Sequence, residues 1–264
     1  MLRRTVKRVG KRLAQVGVVL LLAAAGVLVA NELGASDDER GPAPVPVGVR
    51  VLAPGRFESA HAYAPYYVVP RSRVAGPSKL SRAATNRFVT RPEAALATGG
   101  IAGSPQIVRL ELRATTDDPV TVNGVRFDVV RERRPVKGWF TAQPACAFER
   151  VRLARVNLDS RRRAVRYVDT DGASSRSLAL ALDRSKPAVL ELQAATKRHR
   201  FAWTAELSVS RDGGPSRTVN VSDGGKPFLV TSTRASRGYA PRFGATGISG
   251  FARERAWNRG VKGC

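Results

Sequence analysis

The chain has few of the side chains that perform redox, metal and nucleophilic chemistry. Its 264 residues include two cysteines, two histidines and one methionine. A thiol nucleophile needs a general base and an orienting group beside it, and neither His61 nor His199 stands in such a motif. The sequence also has no G-x-S-x-G segment, no phosphate-binding glycine loop and no metal-ligand spacing of His and Cys. We therefore predict a non-catalytic protein with no metal site and no cofactor.

Acidic side chains are also scarce. The chain contains 45 Lys and Arg against 21 Asp and Glu, a formal net charge of +24. Such an imbalance favours polyanionic surroundings, namely nucleic acid, anionic lipid head groups or wall polymers. The imbalance is strongest at the two ends of the chain, residues 1–30 and 234–264.

A long apolar run, Val16 to Ala30, follows six basic side chains. Its length lies on the border between the apolar core of a signal peptide and a membrane span. Cutting after Ala30 or after Ala35 would place a leucine three positions before the cut, which is a poor cleavage site. We predict a basic cytoplasmic tail over residues 1–15 and an uncleaved transmembrane signal-anchor over residues 16–33, with the remainder extracytoplasmic. A cleaved signal peptide and a buried core helix are the alternatives.

Residues 34–104 are rich in proline and glycine. Proline favours extended backbone, so we predict a stalk between the membrane and a folded domain. Two pieces differ. Residues 63–69 hold three tyrosines and two valines, and we expect them to dock onto the domain; a partner-binding aromatic patch is the alternative. Residues 92–98 predict one or two helical turns.

From Gln106 onward, short runs alternate apolar and polar side chains, as in Ile107–Arg113, Val125–Val129 and Phe201–Val209. A period of two indicates strands with one solvated face. Eight or nine such strands, without a convincing amphipathic helix between them, predict an all-β fold. We expect an Ig-like antiparallel β-sandwich over residues 105–233.

Segments typical of turns separate the predicted strands. Asn123-Gly124 is typical of a tight hairpin turn. Asp169-Thr170-Asp171-Gly172 resembles the start of a calcium loop but lacks the remaining ligands and the closing Glu, so we interpret it as a β-turn. The apolar strand residues that we expect in the core are Val122, Val125, Phe127, Val129, Leu153, Val156, Leu180, Leu190, Leu192, Trp203, Leu207 and Val209.

Five segments follow one another along the chain in a recognisable order. They are Tyr66-Tyr67-Val68, Gly99-Gly100-Ile101-Ala102-Gly103, Val120 to Val130, Phe201-Ala202-Trp203, and Asp223 to Phe228. As an ordered set, spanning roughly Tyr63 to Tyr239, they resemble the extracytoplasmic domain of a group of actinobacterial membrane-anchored proteins. The resemblance implies a small β-sandwich ectodomain and implies no reaction. The relatives tend to carry cysteines just before the strand with the tryptophan, where this chain reads Lys197-Arg198-His199-Arg200, so a disulfide from Cys146 to that strand is impossible here.

The two cysteines are Cys146 and Cys264. An even number of cysteines in an oxidising compartment suggests one bridge, and a C-terminal residue on a mobile tail can approach a partner. We therefore hypothesise a disulfide between them. The alternative is that Cys146 is a half-buried apolar residue and Cys264 has no structural role.

Three runs of basic residues fall at predicted strand ends or loops. They are Arg131, Arg133, Arg134 and Lys137; Arg161, Arg162 and Arg163; and Lys197, Arg198 and Arg200. They either collect at one edge of the sandwich, where they would contact a polyanion or a partner, or are ordinary solvated side chains. Residues 234–264 form a basic Gly/Arg-rich tail with interspersed aromatics, which either grips polyanions by charge and stacking or is a plain disordered tail.

These features favour a membrane-anchored extracytoplasmic module that binds an envelope protein or an anionic envelope polymer. One alternative is an envelope enzyme or its accessory domain, which would need carboxylates such as Asp159, Asp169 and Asp171 to meet in a cleft. Another is a cytoplasmic nucleic-acid-binding protein. The predicted membrane segment makes nucleic acid the less favoured partner.

Overall fold

The computed structural model describes residues 45–52, 67–73, 76, 92–141, 151–244 and 247–254. The predicted cytoplasmic tail and membrane span, the tyrosines at 63 and 66, and both cysteines lie outside these residues. Within the described part of the chain, no helix is long and apolar enough to cross a membrane.

The described residues form sixteen strands and one short helix. In chain order they are β1 (Val47–Val51), β2 (Tyr67–Pro70), α1 (Pro92–Ala97), β3 (Ile101–Gly103), β4 (Gln106–Ala114), β5 (Val120–Arg133), β6 (Gly138–Thr141), β7 (Arg152–Asn157), β8 (Arg166–Val168), β9 (Ser174–Ser175), β10 (Leu180–Leu182), β11 (Ala188–Ala195), β12 (Arg200–Arg211), β13 (Arg217–Val221), β14 (Phe228–Thr231), β15 (Arg237–Gly244) and β16 (Gly247–Glu254).

The strands form two sheets. The first has the order β1-β4-β11-β7-β8-β9, and the second has the order β10-β5-β12-β14-β3-β2-β6-β15-β16, with β13 also pairing with β12. The predicted all-β class is therefore confirmed. The prediction of purely antiparallel sheets is wrong, because β11 pairs in parallel with β7, β14 with β3, and β15 with β6. Residue alternation fixes which face of a strand is buried, and it leaves the choice of neighbour open.

The main hydrophobic core contains side chains of both sheets, such as Leu110 and Leu190 of the first and Phe127 and Trp203 of the second. The Trp203 ring lies 5.2 Å from that of Phe127, and its Nε1–H donates a 2.8 Å hydrogen bond to Gln106 Oε1. Removing such a side chain costs about 3–5 kcal/mol. Of the twelve predicted core residues, eleven are buried, and Val129 packs partly buried against the core.

Strands also lie outside residues 105–233, the bounds predicted for the sandwich. Within the predicted stalk, residues 47–51 form β1, which pairs with β4 in the first sheet, and β2, α1 and β3 follow. Within the predicted tail, β15 and β16 form a hairpin, and β15 pairs with β6. Proline-rich composition favours extended backbone, and in β1 such a segment forms a strand at the edge of the first sheet.

Both exceptions predicted within the stalk are confirmed where they are described. The helix appears at Pro92–Ala97, and Tyr67 and Val69 are buried in a small cluster with Ala95 and Trp139. Gly138 of β6 lies against this segment so closely that a Cβ atom there would be 2.1 Å from the Val69 carbonyl oxygen. This position therefore accommodates only glycine.

Asn123 and Gly124 do not form a turn. They lie inside β5, where the register with β12 shifts by one residue between Ser208 and Val209. Asn123 Nδ2 donates a 2.8 Å hydrogen bond to Ser210 Oγ of β12. Pairing with this distant strand therefore gives Asn123-Gly124 a β-bulge in place of the turn that the dipeptide favours locally. The predicted turn at Asp169 to Gly172 is confirmed, with Gly172 N–H donating to the Asp169 carbonyl at 2.9 Å.

Candidate functional site

The first and third basic runs meet at one end of the second sheet. In the β5–β12 register, Arg133 lies directly opposite Arg200, and Arg131 lies opposite Ala202. Side chains two positions apart on a strand share a face. The three arginines of these two strands therefore project from the same face of the sheet.

The second basic run reaches the same end through Asp159, in the loop between β7 and β8. One carboxylate oxygen of Asp159 accepts the Lys197 N–H at 2.6 Å, and the other accepts the Thr196 hydroxyl at 3.0 Å. The Arg198 guanidinium donates to the Asp159 carbonyl at 3.4 Å. The loop that carries Arg161, Arg162 and Arg163 is thus fastened to the loop between β11 and β12. We call the ten residues of the three basic runs the basic end.

His199 joins these loops to β5, a role that its sequence position did not suggest. Its Nδ1 lies 3.2 Å from Asp159 Oδ1, and its Nε2 lies 3.4 Å from Glu132 Oε1. Two carboxylates of the basic end are therefore already engaged by an imidazole. The signal that could have found this site is the presence of single acidic residues inside otherwise basic runs.

Asp159 is held in its charged form. Burial, the largest single influence, raises the pKa of this carboxyl, but the hydrogen bonds from Lys197 N–H, Thr196 and His199, together with the charge of Arg198, outweigh burial and lower the pKa below its ordinary value. The loop junction therefore depends on a carboxylate that stays ionised near neutral pH.

The environment of Arg200 is electrostatically unfavourable. Burial and the charges of Arg133 and Arg131 lower the pKa of its guanidinium. Among the described residues, none of these three arginines forms an ion pair. In the β7–β8 loop, Arg163 has a φ of 42°, in the left-handed region that costs a non-glycine residue about 1–2 kcal/mol. Arg131, Arg133 and Arg200 thus gather positive charge on one face, whereas the nearby carboxylates of Glu132 and Asp159 lie against His199.

The opposite end of the same sheet is arranged differently. In the loop before β5, Asp117 accepts hydrogen bonds from Arg184 at 2.9 Å on both carboxylate oxygens, and Asp118 pairs with Arg211. We call these four residues the paired end. Farther along β5 and β12, Arg126 is bound to Glu206 at 2.5 Å and to Asp128 at 3.4 Å. Away from the basic end, several arginines therefore have carboxylate partners.

The three carboxylates that the enzyme alternative requires do not meet. Asp159 lies in the loop that joins β7 to β8, whereas Asp169 directly follows β8, at the opposite end of this hairpin. Asp169 binds the Arg152 guanidinium at 2.9 Å, and Asp171 accepts the Ala173 N–H at 2.8 Å. Within the described ranges, no group of three or more His, Cys, Asp and Glu side chains is placed to hold a metal ion. The hypothesis of a Cys146–Cys264 disulfide concerns residues outside the described part.

Comparison with known proteins leaves the resemblance to the actinobacterial ectodomains as a prediction. No family model, no curated protein and no solved structure matches this chain.

Proposed function

We propose that the protein is a membrane-anchored, extracytoplasmic binding module whose basic end binds an anionic polymer of the cell envelope. In this proposal an Ig-like sandwich is carried by a single N-terminal span at residues 16–33. The resemblance of the ordered segments to actinobacterial ectodomains supports this topology.

The observation that carries the proposal is the convergence of the three basic runs. Runs separated by up to about seventy residues in sequence are brought together by the β5–β12 register and by the hydrogen bonds of Asp159. Like charges gathered in this way repel one another, so a polyanion that binds them relieves the repulsion and gains several charge-assisted hydrogen bonds. The proposal treats the protein as non-catalytic, and the separation of Asp159 from Asp169 supports that view.

The binding test uses the full chain in a neutral detergent and an immobilised anionic polymer at increasing salt. We expect retention at low salt that falls as ionic strength rises, because salt screens exposed charges. Replacing Arg161, Arg162, Lys197 and Arg198 by Gln should abolish most of the retention. The matched control replaces four exposed basic residues outside the basic end, Arg113, Arg176, Lys186 and Lys226.

Because the two variants lose the same net charge, the comparison separates a local site from overall charge. Equal loss in both variants would reject the basic end as the binding site. Retention that ignores ionic strength would reject the polymer as its ligand.

The topology test is protease accessibility of a C-terminal tag in intact cells. Loss of the tag from the membrane fraction without lysis is the expected result. Protection of the tag until lysis would reject the outward orientation, and the net charge of +24 would then favour a nucleic-acid ligand.

A further inference from the structure

At the basic end, four side chains form a two-by-two array on one face of the paired strands β5 and β12. Arg131 and Arg133 occupy two successive positions on this face of β5, and Ala202 and Arg200 lie opposite them on β12. Neighbouring positions across strands are about 5 Å apart, and positions two residues apart along a strand are roughly 6.5 Å apart. Three arginines therefore occupy the positions beside and diagonal to Ala202 on this face.

A β-bulge lies beside this arrangement. The register of β5 and β12 shifts between Ala202 and Trp203, so that Val130 has no direct partner and is 58% exposed. Bulges bend a strand and redirect its side chains, and they are common beside binding sites. The next acidic residue of β5 on this face, Asp128, is already bound to Arg126. Glu132, between Arg131 and Arg133, lies on the other face of the strand, 3.4 Å from His199 Nε2, so the neighbouring positions on this face supply no free carboxylate to the three arginines.

We propose that Arg131, Arg133 and Arg200 form a subsite for one phosphate group, seated over Ala202. This inference rests on the proposed function and selects phosphate over carboxylate as the anion of the polymer. A phosphate group within a polymer has two non-bridging oxygens on a tetrahedral phosphorus, so guanidinium groups can approach it from more than one plane. A carboxylate has two oxygens in one plane and is satisfied by a single arginine fork.

The experiment compares the binding of the full chain, in neutral detergent, to polyphosphate and to poly-L-aspartate of equal charge number. The wild-type chain is expected to prefer polyphosphate. The variant R131K/R133K/R200K keeps every charge but loses the planar forks. Its preference for polyphosphate should fall by at least about tenfold, as expected for the loss of one or more charge-assisted hydrogen bonds, while its binding to poly-L-aspartate stays unchanged.

A second variant, Ala202→Glu, places a carboxylate where the phosphate would sit and should remove the preference without removing an arginine. The control variant R113K/R176K/R184K, with three arginines outside the basic end replaced by Lys, should keep the preference for polyphosphate over poly-L-aspartate. A preference that survives in R131K/R133K/R200K would overturn the subsite.

The failure of this inference is distinguishable from failure of the proposed function. Equal binding of both polymers by the wild-type chain, lost in the R161Q/R162Q/K197Q/R198Q variant, would overturn the phosphate subsite and leave the proposed function standing. No binding of either polymer would overturn both.

Discussion

The two ends of the second sheet use arginine in opposite ways. At the paired end, Arg184 and Arg211 each bind a neighbouring aspartate. At the basic end, Arg133 and Arg200 face each other across two strands without a carboxylate between them. The net charge of the chain does not distinguish these two uses, whereas the pairing of individual side chains does. The comparison separates the arginines that have a carboxylate partner within the fold from those that have none among the described residues.

The largest effect is expected from removing the carboxylate that fastens the basic end. Replacing Asp159 by Ala removes the acceptor of the Lys197 N–H and leaves the Thr196 hydroxyl with only the His199 carbonyl, 3.3 Å away, and the loss of hydrogen bonds to a charged group costs about 1–3 kcal/mol. We expect the free energy of unfolding in urea to fall by about 2 kcal/mol. The control is Asp117→Ala at the paired end, where the side chain is 85% exposed and the change should stay below about 0.5 kcal/mol. Equal losses would contradict the contrast between the ends.

The next effect comes from converting the paired end into a second basic end. Replacing both Asp117 and Asp118 by Asn leaves Arg184 and Arg211 without their carboxylates. The affinity for polyphosphate should rise roughly threefold at low salt, consistent with surface charge interactions of up to about 1 kcal/mol, and the gain should vanish at high salt. An unchanged affinity in a filter-binding titration would show that unpaired arginines alone do not attract the polymer.

A smaller effect is expected from pH. The lowered pKa of Asp159 stabilises the fold at pH values above the ordinary aspartate pKa of about 3.9. That stability is lost as pH falls through the lower pKa of the folded state. The Asp159→Asn variant should therefore lose less stability than the wild-type protein when urea unfolding is compared at pH 6 and pH 3.

A matched aspartate near the paired end provides the control for this pH effect. Hydrogen bonds from the Ser185 hydroxyl and from the Ser185 and Lys186 N–H groups lower the pKa of Asp183, which is exposed. Asp183→Asn should change the pH dependence less than Asp159→Asn does. The reverse order would mean that the loop junction is not what Asp159 stabilises.

The smallest effect is expected from breaking a single surface pair. Replacing Arg211 by Gln removes its ion pair with Asp118, whose side chain is 44% exposed. Exposed pairs contribute little, so the free energy of unfolding should change by less than about 0.5 kcal/mol. A loss above 2 kcal/mol in calorimetry would show that the paired end is a structural centre.

Residue alternation was sufficient to predict the fold class and the buried face. Val122, Phe127 and Leu207 were predicted from period two alone, and all three are buried. The pattern failed where a distant partner determines the outcome. Asn123 and Gly124 locally favour a turn, yet they form a β-bulge because β5 pairs with β12 at this point. In the short strand β1, valine alternates with glycine and arginine, but the prolines on either side of it favoured a stalk, and its place in the sheet is set by pairing with β4.

The candidate site was predictable only in its parts. The three basic runs are visible in the sequence, because they are clusters of one residue type. Their convergence depends on the register between Arg133 and Arg200, which are far apart in sequence, and on the hydrogen bonds of Asp159. An isolated aspartate among arginines is chemically unremarkable until its partners are known, so its role as a junction could not be read from composition.

The division of the buried side chains into separate clusters has a spectroscopic consequence. Trp203 lies in the main core, and Trp139 lies in the small cluster with Tyr67 and Ala95. Both indoles are shielded from water, with exposed fractions of 0% and 2%. Two double variants isolate the two indoles. Replacing Trp257 and Trp139 by Phe leaves the emission of Trp203 in the main core, and replacing Trp257 and Trp203 by Phe leaves the emission of Trp139 in the small cluster. Coincident red shifts on heating would indicate one cooperative unit, whereas an earlier shift from Trp139 would show that the segment around β2 melts first.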